Sequence, residues 1–243
     1  MPKIAFKVDG KKLNGTVFYP EESREKNPAI LFVHGWTGDQ ENSFQYAKAL
    51  TTLGYICLLF DMRGHGKSEG NIETFTIKDF FDDVLAAYEF LLNVNGVDEK
   101  NISVVGSSFG AYLLPLLSNR KKLKNLVLRA PADYPIDIFD KPKMQNSDST
   151  NPELVRWRKE LKKPTESLSL QSLSKFSGNI LIIESGKDDV VPHETILNYV
   201  NAVKNKNKLT HVLMKDAPHS LEEGEFRNKV EQILIDWFTP LKK

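Results

Sequence analysis

The pentapeptide Gly106-Ser107-Ser108-Phe109-Gly110 holds the residues of this chain best suited to covalent chemistry. It follows the apolar run Asn101-Ile102-Ser103-Val104-Val105 and precedes Ala111-Tyr112-Leu113-Leu114, which reads as strand, sharp turn and helix. In that setting a Gly-x-Ser-x-Gly sequence lifts its central hydroxyl clear of the sheet, and the glycines admit backbone where a Cβ would clash. Ser108, at the middle of the elbow, is therefore the candidate nucleophile rather than Ser107. Alone, the pattern is equally compatible with a plain turn, because Gly and Ser are common. A serine hydroxyl is a weak nucleophile at neutral pH, so it needs a base, and the base needs an orienting acid.

Five histidines could act as the base. His34 and His65 precede Ser108, His193 falls in the first turn of an expected helix, and His211 lies inside an expected strand. His219, within Lys215-Asp216-Ala217-Pro218-His219-Ser220, sits between the last expected strand and the last helix. From that strand end an imidazole can swing over the serine. The acid is sought between Ser108 and His219, where Asp188 and Asp189 are followed by Val190-Val191-Pro192, a run that would pin the loop against the core. The residues themselves do not choose between the two aspartates. Attack on an acyl group creates an oxyanion, which preorganised backbone N–H groups stabilise. The elbow supplies one, from Phe109.

Such loops converge only if the elements behind them form one sheet. Ile4, Phe6 and Val8 alternate with polar residues, and residues 3–20 read as an antiparallel hairpin turning near Asp9-Gly10. The continuous apolar run at 29–33 reads as a strand covered on both faces, 55–60 and 101–105 read as further buried strands, and 123–128 and 180–183 continue the sheet. A helix over 43–53 ends at Gly54, and another over 192–203 precedes a last strand at 209–214. Thr76 with Asp79 forms a capping box for a helix with Phe80, Phe81, Val84, Tyr88 and Leu91 at helical spacing. Ser220 with Glu223 suggests a second box, opening a helix that carries Phe226, Val230, Ile233, Leu234, Trp237 and Phe238 on one face. Alternating strands and helices predict an α/β fold with a mostly parallel sheet, whose ligands bind at the strand carboxyl ends. The stretch 132–178 is too long for a simple connection, so it is expected to be a cap inserted between core segments 1–131 and 179–243.

Nucleophile, acid and base in the order Ser…Asp…His, with the serine on a strand-to-helix elbow, resemble the α/β-hydrolase superfamily. The likeness runs through residues 29–38, 61–70, 106–110, 186–192 and 217–220, and is strongest to small capped bacterial esterases, including cinnamoyl and feruloyl esterases. The chain is also similar to monoglyceride-lipase-like and prolyl-oligopeptidase-like members. The resemblance implies Asp188 as the acid, in Gly186-x-Asp188-x-x-Val191-Pro192, and Trp36 in His34-Gly35-Trp36 as the second oxyanion donor. It implies hydrolysis of carboxylic esters of small or aromatic acyl groups, with a peptidase or thioesterase using the same triad as the enzyme alternative. A ligand-binding protein on the same fold is the alternative of another class. Ser107 and Phe109 depart from the more usual elbow sequences, and the Phe109 ring is expected to narrow the acyl pocket.

Bulk properties set the remaining bounds. The chain has 243 residues, a net charge of +1 and a single cysteine, Cys57, inside an apolar run. The charge balance argues against a nucleic-acid partner, and one cysteine can form neither an internal disulfide nor a cysteine metal cluster. Neither a signal peptide nor a membrane-length apolar stretch is apparent, so a cytoplasmic protein acting on a small-molecule ester is expected, with a homodimer left open. No metal or organic cofactor is called for: no His/Asp pair has ligand spacing on one element, and neither Gly-x-Gly-x-x-Gly nor a P-loop occurs. Trp157 among Arg156, Arg158, Lys159, Lys162 and Lys163 reads first as a solvated helix face, and second as a basic, aromatic selector of acyl groups or acidic alcohols.

Overall fold

The computed structural model describes residues 1–22, 24–146, 151–221 and 224–242. Strands β1 (Lys3–Val8) and β2 (Lys11–Phe18) form the hairpin, with Asp9 and Gly10 both at positive φ in its turn. The remaining strands are β3 (Asn27–Val33), β4 (Ile56–Phe60), β5 (Val97–Ser107), β6 (Asn125–Arg129), β7 (Asn179–Lys187) and β8 (Leu209–Pro218). Among the described residues they make one sheet in the order β1-β2-β4-β3-β5-β6-β7-β8. From β4 to β8 every pairing is parallel, and β2 joins β4 antiparallel. The chain leaves β3 for β4 on one side and returns to β5 on the other. That reversal opens a crevice at the carboxyl ends of β3 and β5.

The period-two alternation of strand side chains divides the core. Ala29, Leu31 and Val33 of β3 face a cluster with the helices α2 (Ile77–Leu92), α3 (Phe109–Ser118) and α7 (His193–Ala202). Ile30 and Phe32 face the opposite cluster, which α1 (Phe44–Thr51) and α8 (Gly224–Phe238) cover with Ala47, Leu50, Val230, Leu234 and Phe238. The Thr76–Asp79 capping box is formed. Glu223, half of the second expected box, lies outside the described residues. Cys57 is fully buried, which pushes its thiol pKa up. No described helix is long and apolar enough to cross a membrane.

Between β6 and β7 the chain forms the short helices α4 (Lys143–Asn146), α5 (Pro152–Arg158) and α6 (Leu168–Leu173). Asp133, at the start of this excursion, is buried and accepts from the Ser167 hydroxyl and the Tyr134 N–H. Loss of hydration pushes its carboxyl up to about 7. The expectation of a wholly solvated basic face fails at Arg158. Its side chain is buried, Nε donates to the Asp133 carbonyl at 3.1 Å, and the guanidinium lies 4.9 Å from the Tyr134 ring centroid. Arg156 and Lys159 are exposed, as a solvated face requires. The difference is tertiary: Arg158 meets a backbone carbonyl and an aromatic face, and the Lys162 side chain, also largely buried, lies with its ammonium 5.0 Å from the Trp157 ring centroid.

The loop after β4 is fixed by buried charge. Asp61 accepts from the Gln40 and Lys67 N–H groups, while the Arg63 guanidinium meets the fully buried Asp83 at 2.7 Å and Asp9 at 3.0 Å. Removing one member of a buried pair strands the other, at a cost of about 3–5 kcal/mol. Arg63→Ala should lose about that much in chemical denaturation, and adding Asp83→Leu should restore a substantial part of it.

Candidate active site

Gly106 and Gly110 are required by close approach: a Cβ on Gly106 would sit 2.8 Å from the Ala111 nitrogen, and one on Gly110 2.3 Å from the Val33 carbonyl oxygen. Between them Ser108 has φ 51° and ψ −113°, a conformation unfavourable for a residue with a Cβ. Three hydrogen bonds hold it there. Its N–H donates to the Arg129 carbonyl at 2.9 Å, and its carbonyl accepts from the N–H groups of Tyr112 and Ala132 at 3.1 and 3.2 Å. The Ser108 side chain thus stands at the N-terminus of α3, where orphan N–H groups and the helix dipole favour negative charge.

His219 reaches the elbow from the end of β8. Its Nε2 lies 3.1 Å from Ser108 Oγ and its Nδ1 lies 2.7 Å from Asp188 Oδ2. The other oxygen of Asp188 accepts from the N–H groups of Val190 and Val191 at 2.9 and 2.7 Å. A carboxylate held this way accepts from Nδ1–H, which leaves Nε2 free to accept the serine proton. Asp189 is exposed and has no part in this chain. Of the other histidines, His193 and His211 are taken up by the two oxygens of the buried Glu184, at 2.6 and 2.8 Å.

The turn after β3 stands against the elbow, and a Cβ on Gly35 would lie 3.4 Å from the Ser108 Cβ. His34 Nδ1 is 2.7 Å from the Gly35 carbonyl oxygen, and its Nε2 is 3.0 Å from the Met62 N–H. Nε2 must accept from that N–H, so Nδ1 carries the proton and donates to Gly35. The same carbonyl accepts from the Gly38 N–H at 3.2 Å. In a trans peptide this fixes the Trp36 N–H in the opposite direction. Trp36 is half-buried, with edge contacts to His65, Phe80 and Phe109. The Phe109 ring is fully buried in the same aromatic cluster, so the expectation that it narrows the acyl pocket is corrected. The helix directs the ring inward while leaving its N–H at the elbow.

Burial lowers the pKa of His34 to about 4, and burial with the neighbouring His34 ring does the same to His65. A folded-state value below the ordinary 6.5 means that each neutral ring favours folding fully above about 6.5 and less as pH falls towards 4. Asp133, pushed up by burial, acts in the opposite sense over much of that range. The rings themselves are therefore the place to look: NMR of the His34 and His65 side chains should show both neutral at pH 5.5. Midpoints near 6.5 would contradict the buried hydrogen-bond chain.

Sequence reasoning passed over Arg129. It pairs in register with Ser107 at the end of β6, and its guanidinium donates to Ser107 Oγ at 2.9 Å and to the His219 carbonyl. A weaker contact of 3.4 Å reaches Ser185 at the end of β7. One side chain thereby ties together the elbow, the acid strand and the base loop. The available signal was a cation closing the apolar run Leu126-Val127-Leu128. Among the described residues, the grouping with metal-ligand spacing is Asp9, Asp79 and Asp82, away from Ser108, and Asp9 and Asp79 already pair with Arg63.

A hydroxyl, an imidazole and a buried carboxylate in line, beside backbone donors, form the arrangement of a serine hydrolase. The sequence model of the prolyl oligopeptidase family matches residues 40–242. The chain belongs to that family. The matched stretch holds Ser108, Asp188 and His219, while the turn bearing Trp36 precedes it. An uncharacterized protein of Mycobacterium tuberculosis is 29% identical over 184 residues, which are 76% of this chain and 60% of that protein. The chain thus spans about 60% of the length of that relative. Human mitochondrial palmitoyl-protein thioesterase ABHD10 is 24% identical over 242 residues, covering 92% of this chain and 72% of the thioesterase. Among solved structures, Est1E of Butyrivibrio proteoclasticus with bound ferulic acid superposes with a TM-score of 0.75 at 22% identity, covering 97% of each chain. At that identity the likeness shows the α/β-hydrolase fold, which this member of the prolyl oligopeptidase family shares.

Proposed function

We propose that the protein is a serine hydrolase that cleaves carboxylic esters of small or aromatic acyl groups through an acyl-enzyme. The observation that carries the reading is the unbroken chain from Ser108 Oγ through His219 to Asp188, at 3.1 and 2.7 Å. Ser108 attacks the carbonyl carbon while His219 Nε2 takes its proton. The Trp36 and Phe109 N–H groups receive the oxyanion, and Asp188 stabilises the imidazolium. His219 returns the proton to the departing alcohol, and water then releases the acyl group by the same steps. The ester preference draws support from Est1E, whose structure holds ferulic acid, and from a putative esterase/lipase of Mycoplasma genitalium that is 29% identical over 135 residues.

A thioester reading is favoured by one specific relative, the palmitoyl-protein thioesterase ABHD10, and a peptidase reading by the family description. The three share every step up to the leaving group. Values of kcat/KM for short-acyl, long-acyl, aromatic-acyl, thioester and peptide-amide substrates separate them. The ester reading expects oxygen esters with short or aromatic acyl groups to lead; a lead by long-chain thioesters or by amides would overturn it.

A further inference from the structure

A cavity of about 550 Å³ opens beside Ser108 and His219, on the side of the sheet covered by α1 and α8. Two guanidiniums line it: Arg129 from the end of β6 and Arg227 from the first turn of α8. Among the described residues neither has a carboxylate within ion-pair distance. Arg227 donates from Nε to the Leu221 carbonyl, and Glu231, one turn further along α8, forms no ion pair with it. The shielded Nε of Arg129 has no hydrogen-bond partner, and its other donors go to uncharged oxygens. Asp188 acts on it only at longer range. Tyr46 of α1 also lines the cavity; burial raises its pKa, and its hydroxyl feels both guanidiniums and, against them, the Glu231 carboxylate.

Two cations without contact counterions among the described residues, in a partly dehydrated cleft, carry an electrostatic cost that an anion would relieve. The planar fork of a guanidinium suits a carboxylate or a phosphate. The cavity's position indicates which part of a substrate enters. The cavity is lined by His219, Ser220 and Leu221 as well as by Trp36 of the turn after β3, and a group leaving Ser108 with the proton that His219 returns would enter it on the His219 side. We propose that the cleft between α1 and α8 is an anion subsite, in which Arg227 and Arg129 bind a carboxylate or phosphate carried by the alcohol portion of the substrate. The inference rests on the hydrolase reading above and names what that site prefers.

The test uses the full chain and three esters of one acyl group, whose alcohols are glycolamide, glycolate and glycol phosphate. Glycolamide ester turnover reports hydrolysis alone; its absence together with that of the other two would count against the proposed function. The subsite predicts kcat/KM at least about tenfold higher for one of the anionic esters than for the glycolamide ester, the scale of one charge-assisted hydrogen bond. Whichever anion leads identifies the group. Arg227→Gln should bring that ratio down about tenfold, and Arg227→Lys should keep part of it; taking a ratio within each variant cancels losses from folding. A wild-type ratio near one, or a ratio that Arg227→Gln leaves unchanged, overturns the subsite. If no ester turns over, calorimetric titration with glycolate and glycol phosphate decides: binding weakened about tenfold in Arg227→Gln supports it, and no binding, or binding equal in both proteins, overturns it.

Discussion

Ser108→Ala should lower kcat on activated esters by about 10⁵–10⁶-fold and abolish labelling by a fluorophosphonate probe. The proposed mechanism makes the loss that large, because in it the hydroxyl is the reacting atom and, among the described residues, no second hydroxyl shares its position. Ser107 is its neighbour in sequence, yet its Oγ accepts a hydrogen bond from Arg129. Residual turnover would come from the Trp36 and Phe109 N–H groups and from binding, which survive the change. Alanine meets the same φ of 51° with a Cβ of the same size, so the melting temperature should stay within a few degrees. Labelling that persists in the variant would sink the assignment of the nucleophile.

Asp188→Asn should cost about 10⁴-fold in kcat with little change in KM. The local hydrogen bonds give the reason. The Val190 and Val191 N–H groups need an acceptor, so an asparagine turns its carbonyl oxygen towards them. Its NH₂ then faces His219 Nδ1, which must accept rather than donate. The imidazole proton moves to Nε2, the nitrogen that lies 3.1 Å from Ser108 Oγ, and the base is lost without loss of structure. Kinetics on one ester, with the melting temperature alongside, tests this. An Asp189→Asn variant is the control, since that side chain is exposed.

These two variants also mark where the sequence alone reached the site and where it stopped. Ser108 was legible because a strand, a tight turn and a helix are local, and the glycines announce them. The apolar runs and the helical spacing after Thr76 are local as well, and they were enough to fix the fold class and to bring the loops of Trp36, Ser108, Asp188 and His219 to one sheet edge. Asp188 and Asp189 are neighbours of identical chemistry, and only the resemblance to a family separated them. In the structure the choice follows from two backbone N–H groups and from the place of His219, 31 residues away.

The cations show the same limit from the other side. Arg129, Arg158 and Arg227 carry the same charge in the sequence and have three different surroundings: the base loop, a buried carbonyl beside Tyr134, and an open cleft. Likewise Phe109 reads as a pocket residue but packs inward, because the turn of α3 gives its ring to the core and its N–H to the elbow. Composition and periodicity register what a residue does with its near neighbours. Which distant groups share its desolvated surroundings, and therefore whether a charge is anchored or left to bind, is decided only when the sheet brings remote loops together.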